Sequence, residues 1–281
     1  MFRLAPTREL EAARSIAQTL SSAGYQAFFA GGCVRDLLLG NAPKDFDVAT
    51  SATPAEIVAL FPRSLQVGAH FGVIIVLTGA DSDAFAHHIA TEVATFRTDG
   101  SYRDGRRPET VHFASDPRED VQRRDFTING MLLDPAQISP TSEESLAVPP
   151  VAILDFVGGQ ADLSDRILRT IGAPPRRFAE DKLRMLRALR FAARLDFVFD
   201  PETFAAIRQH AAWIAQVSNE RIRDELTRML TEGHPRRAFE LLQASGLLRE
   251  VLPEVERLRG VEQPLQYHPE GDVWVLSLIH I

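Results

Sequence analysis

Residue types capable of chemistry concentrate first between positions 30 and 50, AGGCVRDLLLGNAPKDFDVAT. Phe28 and Phe29 form a short apolar strand that Gly31 and Gly32 break. Val34, Leu37, Leu38 and Leu39 then recur at helical spacing until Gly40. A strand running through two glycines into a helix start is a phosphate cradle. Glycine lets the backbone come close, and the unpaired N–H groups of the first turn point at the anion. Arg35 falls in that turn, where a cation opposes the helix dipole, a placement that suggests work on a ligand. Asp45 and Asp47 follow. In an extended strand they share one face while Phe46 and Val48 take the other. Two adjacent carboxylates repel each other unless a cation lies between them, and Mg²⁺ takes one or two carboxylates together with substrate phosphates. A Gly-Gly pair alone is a turn, and D-x-D alone is an exposed strand end. Together, within one strand–helix–strand unit, they read as metal-dependent chemistry on a nucleoside triphosphate.

Further candidates lie downstream. Glu92, in a segment rich in Val, Thr and Ala, is either a third carboxylate near the metals or the partner of a neighbouring arginine. Asp120–Asp134, DVQRRDFTINGMLLD, places two adjacent arginines and Asp125 before a helix start at Thr127, which does not resemble core packing. Glu180–Phe191 reads as one helix with Leu183, Leu186, Leu189 and Phe191 buried and Asp181, Arg184, Arg187 and Arg190 at three-residue spacing on another face. That segment alone favours an exposed helix with one salt bridge and spare arginines.

The elements that must position these groups are legible in outline. Leu10, Ala13, Ile16, Ala17 and Leu20 mark a helix over 7–23 that packs on the sheet. Thr53-Pro-Ala-Glu56 is a capping box with proline at the first helical position, starting a helix to about Phe61. Segments 72–77 and 86–96 read as adjacent strands. Residues 97–110 lack apolar periodicity and read as a polar, cationic loop. Residues 138–150 read as a loop or local insertion. From about Pro174 the pattern is helical throughout, with helices near 201–217, 219–230 and 236–245. The pattern therefore divides the chain into a sheet-containing part to about residue 173 and a helical part after it.

Composition sets bounds. The chain has 281 residues, 45% hydrophobic and 25% charged, as in ordinary globular proteins. Its one cysteine, Cys33, excludes an internal disulfide and suits a reducing cytoplasm. It follows Gly-Gly at a helix start, where a small residue is needed, and no histidine lies near it in sequence. No apolar run reaches membrane-spanning length, and the N-terminus lacks a signal-peptide core. The net charge of −7 does not by itself favour a nucleic-acid partner. Yet the cations are nearly all arginine, with only Lys44 and Lys182 as lysines, and arginine suits bidentate phosphate and base contacts.

Taken as ordered motifs, residues 27–229 resemble the class II tRNA nucleotidyltransferases (CCA-adding enzymes) and the related bacterial poly(A) polymerases. The string at 30–50 resembles the superfamily signature, and R-R-D-F-T-x-N recurs at Arg123–Asn129, with Gly130 where alanine is expected. D-x-x-G-G-x-x-D-L recurs from Asp155, and E-D-x-L-R-x-L-R-x-x-R-F from Glu180. Glu220, Arg221 and Glu225 match a neck motif that supports the recognition helix. The resemblance implies an α+β fold: a nucleotidyltransferase-type head with a small mixed sheet and flanking helices, then an all-helical neck and body. It divides the chain into a catalytic nucleotidyltransferase head at 1–173, a helical neck and start of a body at 174–260, and a truncated body segment at 261–281. It implies two Mg²⁺ on Asp45 and Asp47. Gly31, Gly32 and Arg35 would face the leaving pyrophosphate, and Arg124 and Asp125 the ribose and phosphate. Asp181 and Arg184 would read the base, and Arg187 and Arg190 would hold the triphosphate.

The base reading is chemically sensible. Cytosine and adenine each offer an amino donor beside a ring-nitrogen acceptor, which one carboxylate and one guanidinium satisfy. Uracil and guanine reverse both groups and would leave polar atoms unpaired. The resemblance thus implies template-independent addition of CCA, or of the terminal A, to tRNA from CTP and ATP in the cytoplasm, with no membrane partner. The segment matching 97–110 is, in that family, a flexible loop required for adding A. A poly(A) polymerase, or a fragment that binds nucleotide or RNA without turnover, are the alternatives. Tyr267–Trp274 resembles an internal family segment, whereas residues 275–281 depart from the family. An exposed apolar surface is therefore expected at the helical end.

Overall fold

The computed structural model describes residues 2–79, 88–100, 102, 109–142, 145–269 and 271–280. They fall into two compact units, one built from 2–100 and 109–163, the other from 102 and 164 onward.

In chain order the first unit holds β1 (Phe2–Leu4), α1 (Arg8–Ser22), β2 (Ala27–Ala30), α2 (Gly32–Leu38), β3 (Asp47–Thr50), α3 (Pro54–Leu60), β4 (Ser64–Gly68), β5 (Val73–Thr78) and β6 (Ile89–Thr95). After these come β7 (Arg97–Asp99), β8 (Val111–Phe113), α4 (Pro117–Gln122), β9 (Met131–Leu133), β10 (Ser139–Ser142), β11 (Ser145–Val148), β12 (Ile153–Asp155) and α5 (Gly159–Ser164). The main sheet is seven-stranded, ordered β12-β9-β2-β3-β6-β5-β4. It is mixed: β3 runs parallel to β6, and β2 pairs antiparallel with both β3 and β9. Thr7 accepts the Leu10 N–H to start α1, whose Leu10, Ala13, Ile16, Ala17 and Leu20 are buried against β2, β3 and β6. Phe29, Val48, Ile74, Val93, Phe96 and Phe126 fill the core. The capping box opens α3 as expected, with Glu56 accepting from the Thr53 N–H at 2.7 Å.

Two stretches read as loops contain strands. Residues 97–99 pair antiparallel with 111–113, so the polar segment is the upper part of a hairpin, and its residues 101 and 103–108 lie outside those described. Residues 139–142 and 145–148 form a hairpin that β1 extends into a three-stranded sheet. Leu146, Ala147 and Val148 are all buried, so no alternation betrays the strand.

The second unit comprises β13 (Ile167–Leu168), α6 (Pro174–Glu180), α7 (Arg184–Leu195), β14 (Val198–Phe199), α8 (Pro201–His210), α9 (Asn219–Thr231), α10 (Pro235–Ser245), α11 (Leu247–Val251), α12 (Pro253–Glu256) and α13 (Val273–His280). The region is not helical throughout, because β13 and β14 pair in parallel. Glu180–Phe191 is not one helix either. α6 ends at Glu180, Asp181 is extended (φ −142°, ψ 107°), and α7 starts at Arg184. α7 buries Met185, Leu186, Ala188, Leu189 and Ala192 and packs on α9 and α10. Among the described residues no helix is long and apolar enough to cross a membrane.

Candidate active site

Strand β2 ends at a turn that only glycine can make. Gly31 lies at φ 76°, ψ −126°, and a Cβ there would stand 3.3 Å from Nη1 of Arg124. A Cβ on Gly32 would stand 3.6 Å from Nη2 of Arg35. Two guanidinium groups therefore border the turn. The Gly31 N–H bonds to the Met131 carbonyl, so this amide serves the sheet. Arg35 is buried: it pairs with Asp36 at 2.7 Å and donates from Nη1 to Asn129 at 2.7 Å. Its charge thus fastens α2 to the turn at Thr127–Asn129.

Asp47 opens β3 opposite Ala30, and the exposed Asp45 precedes it. Phe46 and Val48 are buried, but β3 begins only at Asp47, so Asp45 and Phe46 lie outside the strand they were expected to share. The parallel register pairs Val48 with Val93, which brings Glu92 beside Asp47 on the face turned from the core. Glu92 makes no ion pair with an arginine among the described residues; its charge bears on Asp47. Burial, then the Glu92 and Asp45 carboxylates, push Asp47 up to about 7, opposed by Arg124. This excess of negative charge is what a divalent cation relieves. Among the described residues no three His, Cys, Asp or Glu side chains close into a metal cage. Cys33, buried beneath, has its thiol pushed up to about 12 by burial and by Asp47, so it is inert as a nucleophile.

The two arginines of the R-R-D stretch share a carboxylate that sequence reasoning passed over. Asp120, on α4, is buried and binds Nη2 of Arg123 at 2.6 Å and Nη2 of Arg124 at 2.8 Å. Burial opposes its charge, but Arg124 and Arg123 outweigh that and hold its carboxyl below the usual carboxylate range. The available signal was spacing: Asp120 precedes the arginines by three and four residues within one turn of helix. Asp125 accepts from the Phe126 N–H at 2.8 Å and from Nδ2 of Asn129 at 3.2 Å. Asn129 therefore links Arg35 to Asp125. The segment from Thr127 is a single 3₁₀ turn leading into β9, not the start of a longer helix. Gly130 sits at φ −93°, which any residue tolerates, so its difference from alanine is without backbone consequence. Below, Thr127 donates to the buried Asp162 at 2.7 Å, and Asp155 accepts three backbone N–H groups at the start of α5.

In the second unit the break before α7 places Asp181 outside the helical face it was expected to share. Its Oδ1 accepts from the Leu183 N–H at 3.1 Å and its Oδ2 from Arg221 at 2.8 Å. Arg184 donates from Nη1 to Glu180 at 2.8 Å and to the Arg177 carbonyl at 3.1 Å. Arg187 is partly exposed, 3.9 Å from Glu225, with its guanidinium over Phe191. Arg190 is buried between Glu225 at 2.7 Å and Glu232 at 3.1 Å.

A mixed sheet carrying an aspartate pair beside a glycine turn, followed by a largely helical unit, defines a nucleotidyltransferase-type head with its helical region. Residues 27–169 match the family described as the poly A polymerase head domain, and residues 196–258 match one described as a probable RNA and SrmB-binding site of polymerase A. The chain belongs to the CCA-adding enzyme and poly(A) polymerase family. It is 41% identical over 254 residues to a CCA-adding enzyme of Geobacillus sp. (strain WCH70), covering 90% of this chain and 56% of that one. It is 36% identical over 273 residues to a CCA-adding enzyme of Limosilactobacillus reuteri (strain DSM 20016), covering 96% and 62%. The crystal structure of Bacillus stearothermophilus CCA-adding enzyme in complex with CTP is similar, with TM-score 0.74 and 36% identity over 92% of this chain and 59% of that chain. The chain thus spans somewhat more than half the length of these relatives. Members of this family use divalent metal ions in catalysis.

Proposed function

We propose that this chain is a template-independent RNA nucleotidyltransferase that adds CCA, or its terminal A, to tRNA 3′ ends from CTP and ATP. The observation that carries the reading is the Asp45–Asp47 pair beside Glu92, next to a glycine turn bordered by Arg124. The names of the relatives, and the CTP held by one of them, support the substrates. Two Mg²⁺ held by Asp45 and Asp47, with the Glu92 charge beside Asp47, would supply activation of the RNA 3′-hydroxyl and charge neutralisation at the α-phosphate. Arg124 offers its guanidinium to the nucleotide's phosphates and ribose at the Gly31–Gly32 turn, and Asp125 holds that turn's neighbour in shape. Arg35 acts from beneath by fixing α2.

Asp181 accepts the amino hydrogen of cytosine or adenine, and Arg184 donates to the adjacent ring nitrogen. Arg187 takes phosphate, while Arg190 acts through Glu225 and Glu232 as a positioning residue. Functionally the head extends to about residue 173, the neck spans 174–260, and 261–281 begins a body. The lone thiol suits work in the cytoplasm.

The test is single-nucleotide extension with Mg²⁺, a labelled tRNA ending before CCA or after CC, and one NTP at a time. CTP then ATP used in order, with a stop after A, supports CCA addition. ATP used only on the CC end narrows the activity to A addition. A long A tail on any RNA makes the protein a poly(A) polymerase instead. An Asp45→Ala chain that folds and keeps full activity sinks the metal assignment.

A further inference from the structure

Arg124 meets two groups with different parts of one fork. Its Nε and Nη2 both bind Oδ2 of Asp120, at 3.1 and 2.8 Å, while Nη1 is the nitrogen that comes to the Gly31 turn. The guanidinium is planar, so fixing two of its nitrogens on one oxygen fixes the direction of the third. The anchor itself is rigid. Asp120 is 1% exposed, lies on α4, and its other oxygen is occupied by Nε and Nη2 of Arg123 at 2.8 and 2.6 Å. One carboxylate therefore restrains two adjacent cations that would otherwise repel each other. Nothing else about Asp120 suits a direct role, since it is sealed from solvent and both its oxygens are taken.

We propose that Asp120 is a positioning residue for nucleotide binding: it sets the Arg124 fork so that Nη1 addresses the phosphates of the incoming nucleotide at the Gly31–Gly32 turn. This rests on the nucleotidyl-transfer reading and adds to it the residue that aims the phosphate-binding arginine. Asp120→Asn keeps the side-chain volume but removes the charge. Arg124 then loses its charged anchor, and the two arginines repel each other.

The test is equilibrium binding of CTP with Mg²⁺ to the 281-residue chain, alongside RNA extension, for Asp120→Asn, Arg124→Ala and the double variant. Asp120→Asn is expected to weaken CTP binding roughly tenfold or more, the scale of a lost charged hydrogen bond. The double variant is expected to bind no worse than Arg124→Ala alone, because Asp120 acts only through that side chain. A folded Asp120→Asn that binds CTP like the parent, or penalties that simply multiply in the double variant, overturns the proposal. Should Asp120→Asn fail to fold, Arg124→Lys decides. Lysine keeps the charge but lacks the fork, so CTP binding is expected to fall, and parental affinity overturns the role. A parent that binds CTP but extends no RNA counts against the proposed function while leaving the Asp120 comparison readable. A parent that binds no CTP overturns both.

Discussion

At the scale of single residues, the site is an arrangement of unbalanced charge. Asp47 sits near pH 7 because burial and two neighbouring carboxylates disfavour its anion. An unfolded chain ionises the same group near 3.8, so the folded state binds the extra proton between these values. Stability contributed by this group is therefore highest below about 3.8, falls as pH rises towards 7, and stays reduced above it. Asp47→Asn removes the penalty. At pH 8 without divalent metal, the variant is expected to melt higher than the parent by an amount reflecting on the order of a few kcal/mol. Adding Mg²⁺ is expected to raise the parent's melting temperature and to leave the variant's nearly still, while the variant loses activity. Parent and variant melting alike at pH 8, with and without Mg²⁺, would remove the electrostatic account of this site. Asp47 and Glu92 could be placed by strand reasoning, whereas Asp45 and Phe46 were read into a strand that begins only at Asp47. The clamp at Asp120 could not be placed from sequence, since the same residue at that spacing is as readily a solvent-facing helix acid, and only burial distinguishes the two.

At the scale of elements, local chemistry was readable wherever the backbone itself dictates it. The Thr53–Glu56 box starts α3, Gly31 breaks β2 in a conformation closed to other residues, and Gly40 (φ 76°) ends α2 with its neighbours. Thr53→Ala removes one cap interaction at a partly buried helix start, and is expected to cost about 1 kcal/mol in denaturant unfolding without affecting nucleotide binding. Long-range pairing was not readable: β11 lies between its hairpin partner β10 and β1, which is more than 130 residues earlier in the chain. The break at Asp181 was missed for a related reason. Its helical periodicity continues through a residue that tertiary ties hold extended, and the tie is Arg221 on α9. If Asp181 reads the base, Arg221→Ala leaves its carboxylate without that anchor. The expected result is a loss of discrimination against UTP and GTP of roughly tenfold to a hundredfold in single-nucleotide extension, with the parent's thermal stability largely kept. Unchanged selectivity would assign Arg221 to helix packing alone.

At the scale of the whole molecule, net charge and the proposed substrate pull in opposite directions. The chain carries 38 acidic against 31 basic side chains, yet it is proposed to hold the end of a polyanion. Several arginines are already spent inside the protein: Arg35 on Asp36, Arg123 and Arg124 on Asp120, and Arg190 on Glu225 and Glu232. Others, such as Arg176, which is 82% exposed on its side chain, reach solvent but lie beside acids such as Glu180. Under the proposed function, RNA would be held by a limited set of cations on a surface whose net charge otherwise repels it. The long-range part of that balance is the part salt screens. Raising KCl from about 50 to 200 mM strengthens screening of both signs, but counterion release on each phosphate contact dominates. tRNA affinity, followed by fluorescence anisotropy, is expected to fall with a log–log slope of only about −2 to −4, corresponding to a few phosphate contacts. CTP affinity at saturating Mg²⁺, resting on a compact cluster of directed bonds, is expected to fall less. A slope near −8 would require far more phosphate contacts than this charge distribution offers, and would place RNA binding on a basic face that the −7 net charge conceals. A flat response would mean that bases and sugars, rather than phosphates, hold the RNA.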